Sequence, residues 1–198
     1  MFVSFEGLDG SGKTTQQRLL AERLSADGRD VVSTREPGGT ELGEAIRDLV
    51  LHGGNVAPWA EAALYAASRA QHVEEVIRPA LERGAVVLCD RYVDSSVAYQ
   101  GVARGLGLER VLELNLAAVG GLLPNVTFLL LLDPALAASR MPKTRDRLER
   151  EDDEFHRRAD AAYRELAERF PERIIAVDGE LPEDELAEVI GDRFTLAS

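Results

Sequence analysis

The sequence predicts an α/β fold in which a doubly wound sheet of about five parallel strands is flanked by helices. Five short apolar runs recur along the 198 residues, and segments with helical periodicity separate them. Near-continuous apolar runs are typical of strands that are buried on both faces, as in a parallel sheet. The alternation gives the order β-α-β-α-β-α-β-α-β. The predicted strands are residues 2–5, 31–32, 86–88, 126–132 and 174–177.

The segments between these strands carry apolar stripes at helical spacing, which indicate helix faces that pack on the core. A chain of this length commonly forms one domain, and we find no linker or low-complexity tract that would divide it. We therefore expect residues 1–198 to form a single domain. The two clearest stripes are Phe155, Ala159, Ala162, Tyr163, Leu166 and Phe170, and then Leu186, Val189, Ile190 and Phe194.

Acidic and turn residues follow several of the predicted strands. In open α/β sheets, ligands bind beyond the carboxyl ends of the strands. We therefore expect the chemistry of this protein to lie at these positions. They are Glu6-Gly7, Glu36-Pro37, Asp90, Asp133-Pro134 and Asp178-Gly179.

A glycine-rich stretch after the first predicted strand fits the pattern G-x-x-x-x-G-K-[ST] of the phosphate-binding loop, or P-loop. Glycines let backbone N–H groups turn inward around phosphate oxygens, and the following helix adds the positive end of its dipole. Lys13 can reach the outer phosphates, and the Thr14 hydroxyl can bind Mg²⁺. We predict a P-loop NTPase fold that binds ATP with Mg²⁺. The predicted ATP-binding residues are Gly7, Leu8, Asp9, Gly10, Ser11, Gly12, Lys13 and Thr14.

The alternative is a chance glycine-rich turn between a strand and a helix. The context argues against it, because Leu20 and Leu24 continue at helical spacing and Gly28 then gives a helix stop. The lysine content argues against it too. Of the 23 basic residues, only Lys13 and Lys143 are lysines, so a lysine at this position is a specific choice.

The composition argues against several classes of protein. A net charge of −12 disfavours a general nucleic-acid binder, which needs a basic surface. No apolar run approaches the roughly 18 residues of a membrane span, and the N-terminus runs directly into the first strand instead of a signal peptide. The single cysteine, Cys89, cannot form an internal disulfide. We expect a cytoplasmic protein that binds neither nucleic acid nor membranes.

Two segments after the second and third predicted strands indicate a second site for an anion. Residues 34–43 include a proline and glycines that can build a rigid loop, and Arg47 follows close enough to reach an anion there. The third strand ends in Asp90-Arg91-Tyr92. There the acid can hold Mg²⁺ or its waters, and Arg91 can clamp a phosphate through two parallel hydrogen bonds.

With these motifs in this order, the chain resembles the thymidylate kinase family, whose members phosphorylate dTMP to dTDP with ATP. The resemblance runs over nearly the whole chain and implies a fold of the nucleoside monophosphate kinase type. It also implies direct in-line phosphoryl transfer, a metal site at Thr14 and Asp90, and a homodimer. The segments that carry the resemblance are residues 5–16, 35–40, 90–92, 98–101 and 146–149.

The resemblance further implies which side chains hold dTMP. Asp9 corresponds to a carboxylate that bonds the 3′-hydroxyl, and Arg47 and Arg91 correspond to arginines that hold the phosphate. Tyr65 stands where the family usually has Phe stacked on thymine, and Arg69 matches the residue that bonds O4. Without the resemblance, these last two are a core aromatic and a surface guanidinium on one helix. The predicted substrate-binding residues are Asp9, Glu36, Pro37, Arg47, Tyr65, Arg69, Arg91, Ser96, Tyr99 and Gln100.

A basic segment at about residues 140–150 corresponds to the lid of the family. A solvated run of charge is the usual explanation for such a stretch, but phosphoryl transfer needs cations over the phosphate oxygens. Gly10 stands where the eukaryotic branch has Arg, so the bacterial pattern implies that lid arginines supply this charge. The stretch 133–147 is shorter than in the enterobacterial members. The cations of the segment are Arg140, Lys143, Arg145, Arg147 and Arg150.

Two alternatives stay open at this stage. One is a kinase of the same fold that acts on another pyrimidine monophosphate or on a deoxynucleoside. The other is a regulatory P-loop protein, although the Asn/Thr-Lys-x-Asp motif of a GTPase switch does not occur in the sequence. By position in the family, residues 178–181 border the adenine. The expected catalytic residues are Lys13, Asp9, Arg91, Arg147 and Arg145.

Overall fold

The computed structural model describes residues 1–141 and 144–197. Within them the predicted parallel α/β fold is confirmed, because five strands form one sheet with an apolar core on each face. The lid cation Lys143 lies outside the described residues. The strands are β1 (Phe2–Glu6), β2 (Val31–Arg35), β3 (Val86–Asp90), β4 (Val126–Leu131) and β5 (Ile174–Asp178).

The strand order is β2-β3-β1-β4-β5, and all neighbouring pairs are parallel. The chain order therefore reverses around β1, and in open sheets the crevice at such a reversal is where ligands bind. The register pairs Phe5 with Asp90 and Glu6 with Leu129. The residues that follow β1 and the residues that follow β3 consequently lie next to each other.

Four strands continue past the predicted apolar run by one or more residues, because ladder hydrogen bonds, and not side-chain polarity alone, determine where a strand ends. Each of these strands ends on a polar residue, namely Glu6, Arg35, Asp90 and Asp178. Strand β2 lies at one edge of the sheet and its side chains are partly exposed. Its edge position explains why only two residues of β2 form an apolar run.

The helices are α1 (Lys13–Ala26), α2 (Glu41–His52), α3 (Pro58–His72), α4 (Arg78–Glu82), α5 (Val93–Ser96), α6 (Leu108–Ala118), α7 (Pro134–Arg140), α8 (Asp153–Arg169) and α9 (Glu183–Ala197). Two π-helical segments were not predicted: Val73–Ile77 joins α3 to α4, and Val97–Ala103 follows α5. Such turns are frequent at functional sites, and the second one carries Tyr99 and Gln100. Across 1–141 and 144–197, every helix is too short or too polar to traverse a lipid bilayer.

The predicted apolar stripe of α8 is confirmed, since Phe155, Tyr163 and Leu166 are buried. In α9, residues spaced by four, such as Leu186 and Ile190, are buried as well. The prediction for Val189 is wrong, because this side chain is 37% exposed. It lies three residues after Leu186, at the edge of the helix face that packs on the sheet.

Candidate active site

The P-loop connects the end of β1 to the start of α1, at the carboxyl edge of the central strand, as predicted. Gly7 (φ 137°) and Gly10 (φ 84°) adopt backbone conformations that residues with a side chain rarely take. A Cβ atom at Gly7 would lie 2.5 Å from the carbonyl oxygen of Leu130, and one at Gly10 would lie 2.6 Å from that of Ala137. Backbone conformation and space therefore both require glycine at these two positions.

The polar side chains of the P-loop are arranged for a ligand. The buried Lys13 ammonium donates to the carbonyl oxygen of Leu8 at 2.8 Å and lies 3.9 Å from Asp9 Oδ1. Burial, and then the neighbouring Arg91, lower the pKa of Lys13. The Ser11 hydroxyl is buried and has no hydrogen-bond partner among the described residues. Because an unpaired buried hydroxyl is unfavourable, this loop suits a ligand that supplies the partner.

Thr14 and Asp90 bring two oxygen ligands together where α1 begins and β3 ends. Thr14 Oγ1 donates a hydrogen bond to Asp90 Oδ2 at 2.5 Å. Both residues line the same cleft as Lys13, which we call the P-loop cleft. Hydroxyl and carboxylate oxygens are the ligand types that Mg²⁺ prefers, so the pair fits a magnesium ion bound beside a triphosphate.

Arg91 links the P-loop to the segment that follows β3. Its backbone is in the left-handed region, with φ 70°, which is unfavourable for a residue other than glycine. Its guanidinium forms an ion pair with Asp9 and donates to the carbonyl oxygen of Gly7 and to the hydroxyls of Ser95 and Tyr163. These four contacts hold the guanidinium between the two predicted nucleotide sites.

Asp9 is ionised at neutral pH. Burial raises the pKa of this carboxyl group, but Arg91 and then Lys13 lower it by more, to about 2. The carboxylate is one-third exposed and lines the same cleft as Lys13 and also the neighbouring pocket. It can therefore accept a hydrogen bond from a ligand hydroxyl while it remains paired with Arg91.

All ten residues predicted to hold dTMP line one pocket beside the P-loop, which we call the acceptor pocket. Tyr65 is buried on α3, and Tyr99 is buried in the π-helical segment after α5. The Tyr99 hydroxyl has no hydrogen-bond partner among the described residues, so a ligand could supply one. The other residues that line the pocket are Leu51, Ser95, Asp146, Leu148 and Glu149. The individual contacts of these residues with dTMP stay predictions.

Arg69 is not a surface residue, because it is only 1% exposed. Its Nη1 donates to Ser96 Oγ at 3.1 Å and to Asn115 Oδ1, and its Nη2 donates to the carbonyl oxygen of Tyr92 at 3.0 Å. Its Nε donates to Glu36 at 2.5 Å. A guanidinium has five N–H bonds, so one of them is left for a ligand in the acceptor pocket.

Glu36 holds Arg69 from the loop after β2, and this role was not predicted. The buried carboxylate pairs with Arg69 and, at 2.9 Å, with His72 Nδ1. Glu36, His72 and Cys89 place one possible metal ligand each within 4.8 Å of one another. Because Glu36 is committed to two partners, these three residues form a poor metal site compared with Thr14 and Asp90.

Arg47 lies at the border between the two sites. It lines both the acceptor pocket and the P-loop cleft, and its Nη1 donates to the carbonyl oxygen of Pro37 at 2.9 Å. Arg35, for which no individual role was predicted, lines the P-loop cleft as well and pairs with Glu44 at 3.1 Å. The cleft therefore receives positive charge from the end of β2 and from α2 as well as from the P-loop.

Two arginines of the lid segment lie close to the P-loop. Arg140, at the end of α7, lines the P-loop cleft and packs near Gly10. It donates to the carbonyl oxygen of Gly179 at 3.3 Å. Arg145 lines an adjacent cavity that also borders Asp9. Arg140 was predicted only as a member of the basic cluster, and Arg145 was predicted as a catalytic residue.

The structure does not bring Arg147 to the P-loop. Its Nη2 instead donates to Glu61 Oε2 at 2.6 Å, and its Nε donates to the carbonyl oxygen of Val50 at 2.8 Å. The physical reason is the fully buried Glu61 carboxylate on α3, which needs cationic partners. A role for Arg147 at the transferred phosphate stays a prediction that requires these contacts to break.

The sequence indicates Glu6 only as an acid that ends a strand, and it does not indicate Tyr163 as a site residue. The carboxylate of Glu6 is fully buried below the P-loop and accepts hydrogen bonds from the Tyr92 amide (2.7 Å), the Ser95 hydroxyl (2.5 Å) and the Tyr163 hydroxyl (3.0 Å). Burial raises the pKa of Glu6. An acid at the end of an apolar strand was a usable signal. Tyr163 gave none, because its position fits the apolar stripe of α8.

We expect the Asp9→Asn variant to be less stable than the wild type at pH 7 by about 1 kcal/mol, a modest value because the side chain is 33% exposed. The pKa of Asp9 is lower in the folded than in the unfolded protein. Its contribution is therefore present above about pH 4 and is lost as the pH falls towards 2. Chemical denaturation between pH 7 and pH 3 checks this.

The surface variant Asp192→Asn is the control for Asp9→Asn, since Asp192 is exposed on α9. It should match the wild type at every pH. A stability difference for Asp9→Asn that stays constant down to pH 3 would contradict the assigned ion pair.

Comparisons with known proteins show the family of this chain. The family model described as "Thymidylate kinase" matches residues 5–190. A thymidylate kinase of Clavibacter michiganensis subsp. michiganensis is 54% identical over 197 residues, which are 98% of this chain and 93% of that protein. One of Synechococcus sp. (strain JA-3-3Ab) is 54% identical over 178 residues, covering 90% and 87% of the two chains.

A solved structure gives the same answer at the level of the fold. The crystal structure of thymidylate kinase from Ehrlichia chaffeensis superimposes with a TM-score of 0.84 at 31% identity and covers 98% of both chains. The match in sequence extends through the P-loop, the acceptor pocket and the segment around residues 146–149. The chain described here belongs to the thymidylate kinase family.

Proposed function

We propose that this chain transfers the γ-phosphate of ATP to dTMP and so forms dTDP, by direct in-line displacement without a covalent enzyme intermediate. The observation that carries the proposal is the position of Arg91, which joins the P-loop to the acceptor pocket through Asp9. A donor phosphate in the P-loop and an acceptor phosphate near Arg91 would then face each other across one cleft.

On the ATP side, the backbone of residues 7–14 would surround the phosphates, and Lys13 would reach the outer ones. Thr14 and Asp90 would hold Mg²⁺, which when bound neutralises charge on the phosphate oxygens. The unpartnered Ser11 hydroxyl supports an oxygen-rich ligand at this place. Lys13, Arg140 and Arg145 would supply positive charge as the phosphoryl group is transferred.

On the acceptor side, Arg47 and Arg91 would hold the phosphate of dTMP, and Asp9 would accept a hydrogen bond from the 3′-hydroxyl. No general base is needed, because the attacking phosphate is already ionised near neutral pH. A nucleoside acceptor would need such a base and would leave Arg47 and Arg91 without a phosphate. The geometry therefore favours a monophosphate acceptor over a nucleoside.

The base would be recognised deeper in the acceptor pocket. Tyr65 offers an aromatic face for stacking, and Ser96 and Gln100 offer polar groups at its wall. The free N–H of Arg69 can donate to a carbonyl oxygen but cannot accept from an amino group. A fixed donor at this position selects thymine or uracil against cytosine, which carries an amine at C4.

A homodimer is the proposed assembly, and an apolar surface supports it. Leu42 and Leu49 on α2 are 47% and 56% exposed, and Trp59 on α3 is 40% exposed. Helices α2 and α3 pack on each other, so these side chains belong to neighbouring elements. Exposed apolar side chains on adjacent helices suit a helix-packed interface. A cytoplasmic location and the lack of a nucleic-acid partner stay predictions.

The acceptor experiment tests the function. We expect a coupled assay over dTMP, dUMP, dCMP, UMP and thymidine to show dTMP well ahead of the others, with weak ATP hydrolysis when no acceptor is present. Preference for another pyrimidine monophosphate, or for thymidine, would favour the rival kinases. ATP turnover that ignores every acceptor would favour a regulatory ATPase. Chelation of Mg²⁺ and the Lys13→Ala change should each remove most of the activity.

The Arg69→Lys variant tests the base pocket. Lysine keeps a positive charge beside the buried Glu36 but cannot reproduce the planar set of donors. We expect the ratio of kcat/KM for dTMP to that for dCMP to fall by about tenfold or more. The exposed pair of Arg83 with Asp30 lies before β2 and β3, far from the carboxyl ends of the strands, so Arg83→Lys is the control. An unchanged ratio in Arg69→Lys would remove Arg69 from base recognition.

Light scattering tests the assembly. We expect a mass of twice 21.6 kDa for the wild type and a shift towards the monomer for Leu49→Glu, because a charge would then be buried in the interface. Leu196, which is 82% exposed near the C-terminus, provides the control change Leu196→Glu. A monomeric wild type would end the dimer proposal.

A further inference from the structure

Residues 146–149 form a turn, the 146–149 turn, that serves as one wall of the acceptor pocket. Its shape is fixed locally. Asp146 Oδ1 accepts hydrogen bonds from the amides of Leu148 (2.8 Å) and Glu149 (2.9 Å), and the Asp146 amide donates to Glu149 Oε2 at 2.8 Å. These bonds give the turn its form, but they do not attach it to the rest of the pocket.

Arg147 supplies three polar contacts that attach the turn. Its backbone amide donates to the carbonyl oxygen of Leu51 at 3.0 Å, and its Nε donates to that of Val50 at 2.8 Å. Both carbonyls lie in the last turn of α2, where the helix dipole favours a cation. The third contact is the ion pair of Nη2 with Glu61 at 2.6 Å.

Glu61 connects this attachment to the base end of the acceptor pocket. Its carboxylate is fully buried and also pairs with Arg104 at 3.3 Å. Its other oxygen accepts a hydrogen bond at 2.8 Å from Gln100, which lines the acceptor pocket. Arg104 in turn pairs at 2.7 Å with Glu151, just after the turn. The buried carboxylate of Glu61 thus joins α3 both to Gln100 of the acceptor pocket and to the 146–149 turn.

We propose that Arg147 is a positioning residue which, through Glu61, fixes the 146–149 turn as a wall of the acceptor pocket and so sets the affinity for dTMP. This role differs from the contact with the transferred phosphate that the family resemblance implies for Arg147. The inference rests on the proposed function of the acceptor pocket as the dTMP site.

The two roles of Arg147 have opposite kinetic signatures. An arginine that touches the transferred phosphate acts mainly in the transition state, so its loss lowers kcat. An arginine that holds a wall of the acceptor pocket acts equally in the ground state and the transition state. Its loss therefore raises the KM for dTMP. Both kcat and the KM for ATP stay nearly unchanged.

The experiment compares Arg147→Met, Glu61→Gln and the double variant with the wild type. We expect each single change to raise KM for dTMP by about tenfold, with kcat within about twofold. The double variant should resemble the single ones, because both changes remove the same contact. Arg83→Met is the matched control and should behave as the wild type. It removes an exposed ion pair that lies before the amino ends of β2 and β3, away from the carboxyl ends that form the site.

Hydrogen exchange gives a readout that does not depend on turnover. The amides of residues 146–150 should exchange faster in Arg147→Met than in the wild type, since the contact with α2 is weakened. Arg147→Met removes a partly exposed side chain, so it remains informative if Glu61→Gln does not fold. A fall in kcat with an unchanged KM for dTMP, or unchanged exchange, overturns the positioning role.

The two possible failures are distinguishable. A wild type that does not phosphorylate dTMP contradicts the proposed function. A wild type that does so, together with an Arg147→Met variant that keeps a normal KM for dTMP, contradicts the positioning role alone.

Discussion

The ion pair between Arg91 and Asp9 joins the two halves of the site, and its position is set by the sheet. Strands β1 and β3 are hydrogen-bonded neighbours, and Phe5 is paired with Asp90. The loops that follow these strands must therefore begin side by side. Arg91 is the first residue after β3 and has a left-handed backbone conformation, and its guanidinium contacts Asp9 and the Gly7 carbonyl oxygen of the P-loop.

The buried carboxylate of Glu6 stabilises this arrangement by fixing partners of Arg91. It accepts hydrogen bonds from the Tyr92 amide and from the Ser95 and Tyr163 hydroxyls, and both hydroxyls also accept from Arg91. The Arg91 guanidinium is therefore positioned by two hydroxyls that Glu6 in turn positions. Groups that are fixed before a ligand arrives lose little freedom on binding, which is how a site stabilises developing charge efficiently.

The P-loop could be predicted from the sequence because all its determinants are local: a strand, glycines at fixed spacing, a lysine and a helix. The acceptor residues come from separate segments, so only a family resemblance could group them. The contact of Arg147 with Glu61 spans 86 residues, and nothing near either residue announces it. Tyr163 was hidden for a different reason, since a tyrosine on an apolar helix face fits the core equally well.

The way Arg69 is held has a consequence for how this enzyme can evolve. Four of its five donors serve Glu36, Ser96, Asn115 and the Tyr92 carbonyl, so the guanidinium that we propose as the reader of the base is also a part of the folded interior. A lineage that evolved towards cytosine nucleotides could not simply exchange this residue, because the buried Glu36 would lose its arginine partner and keep only His72. The contacts that support the proposed selectivity for the base are thus the same contacts that stabilise the fold. A change of substrate would therefore require several residues to be replaced together.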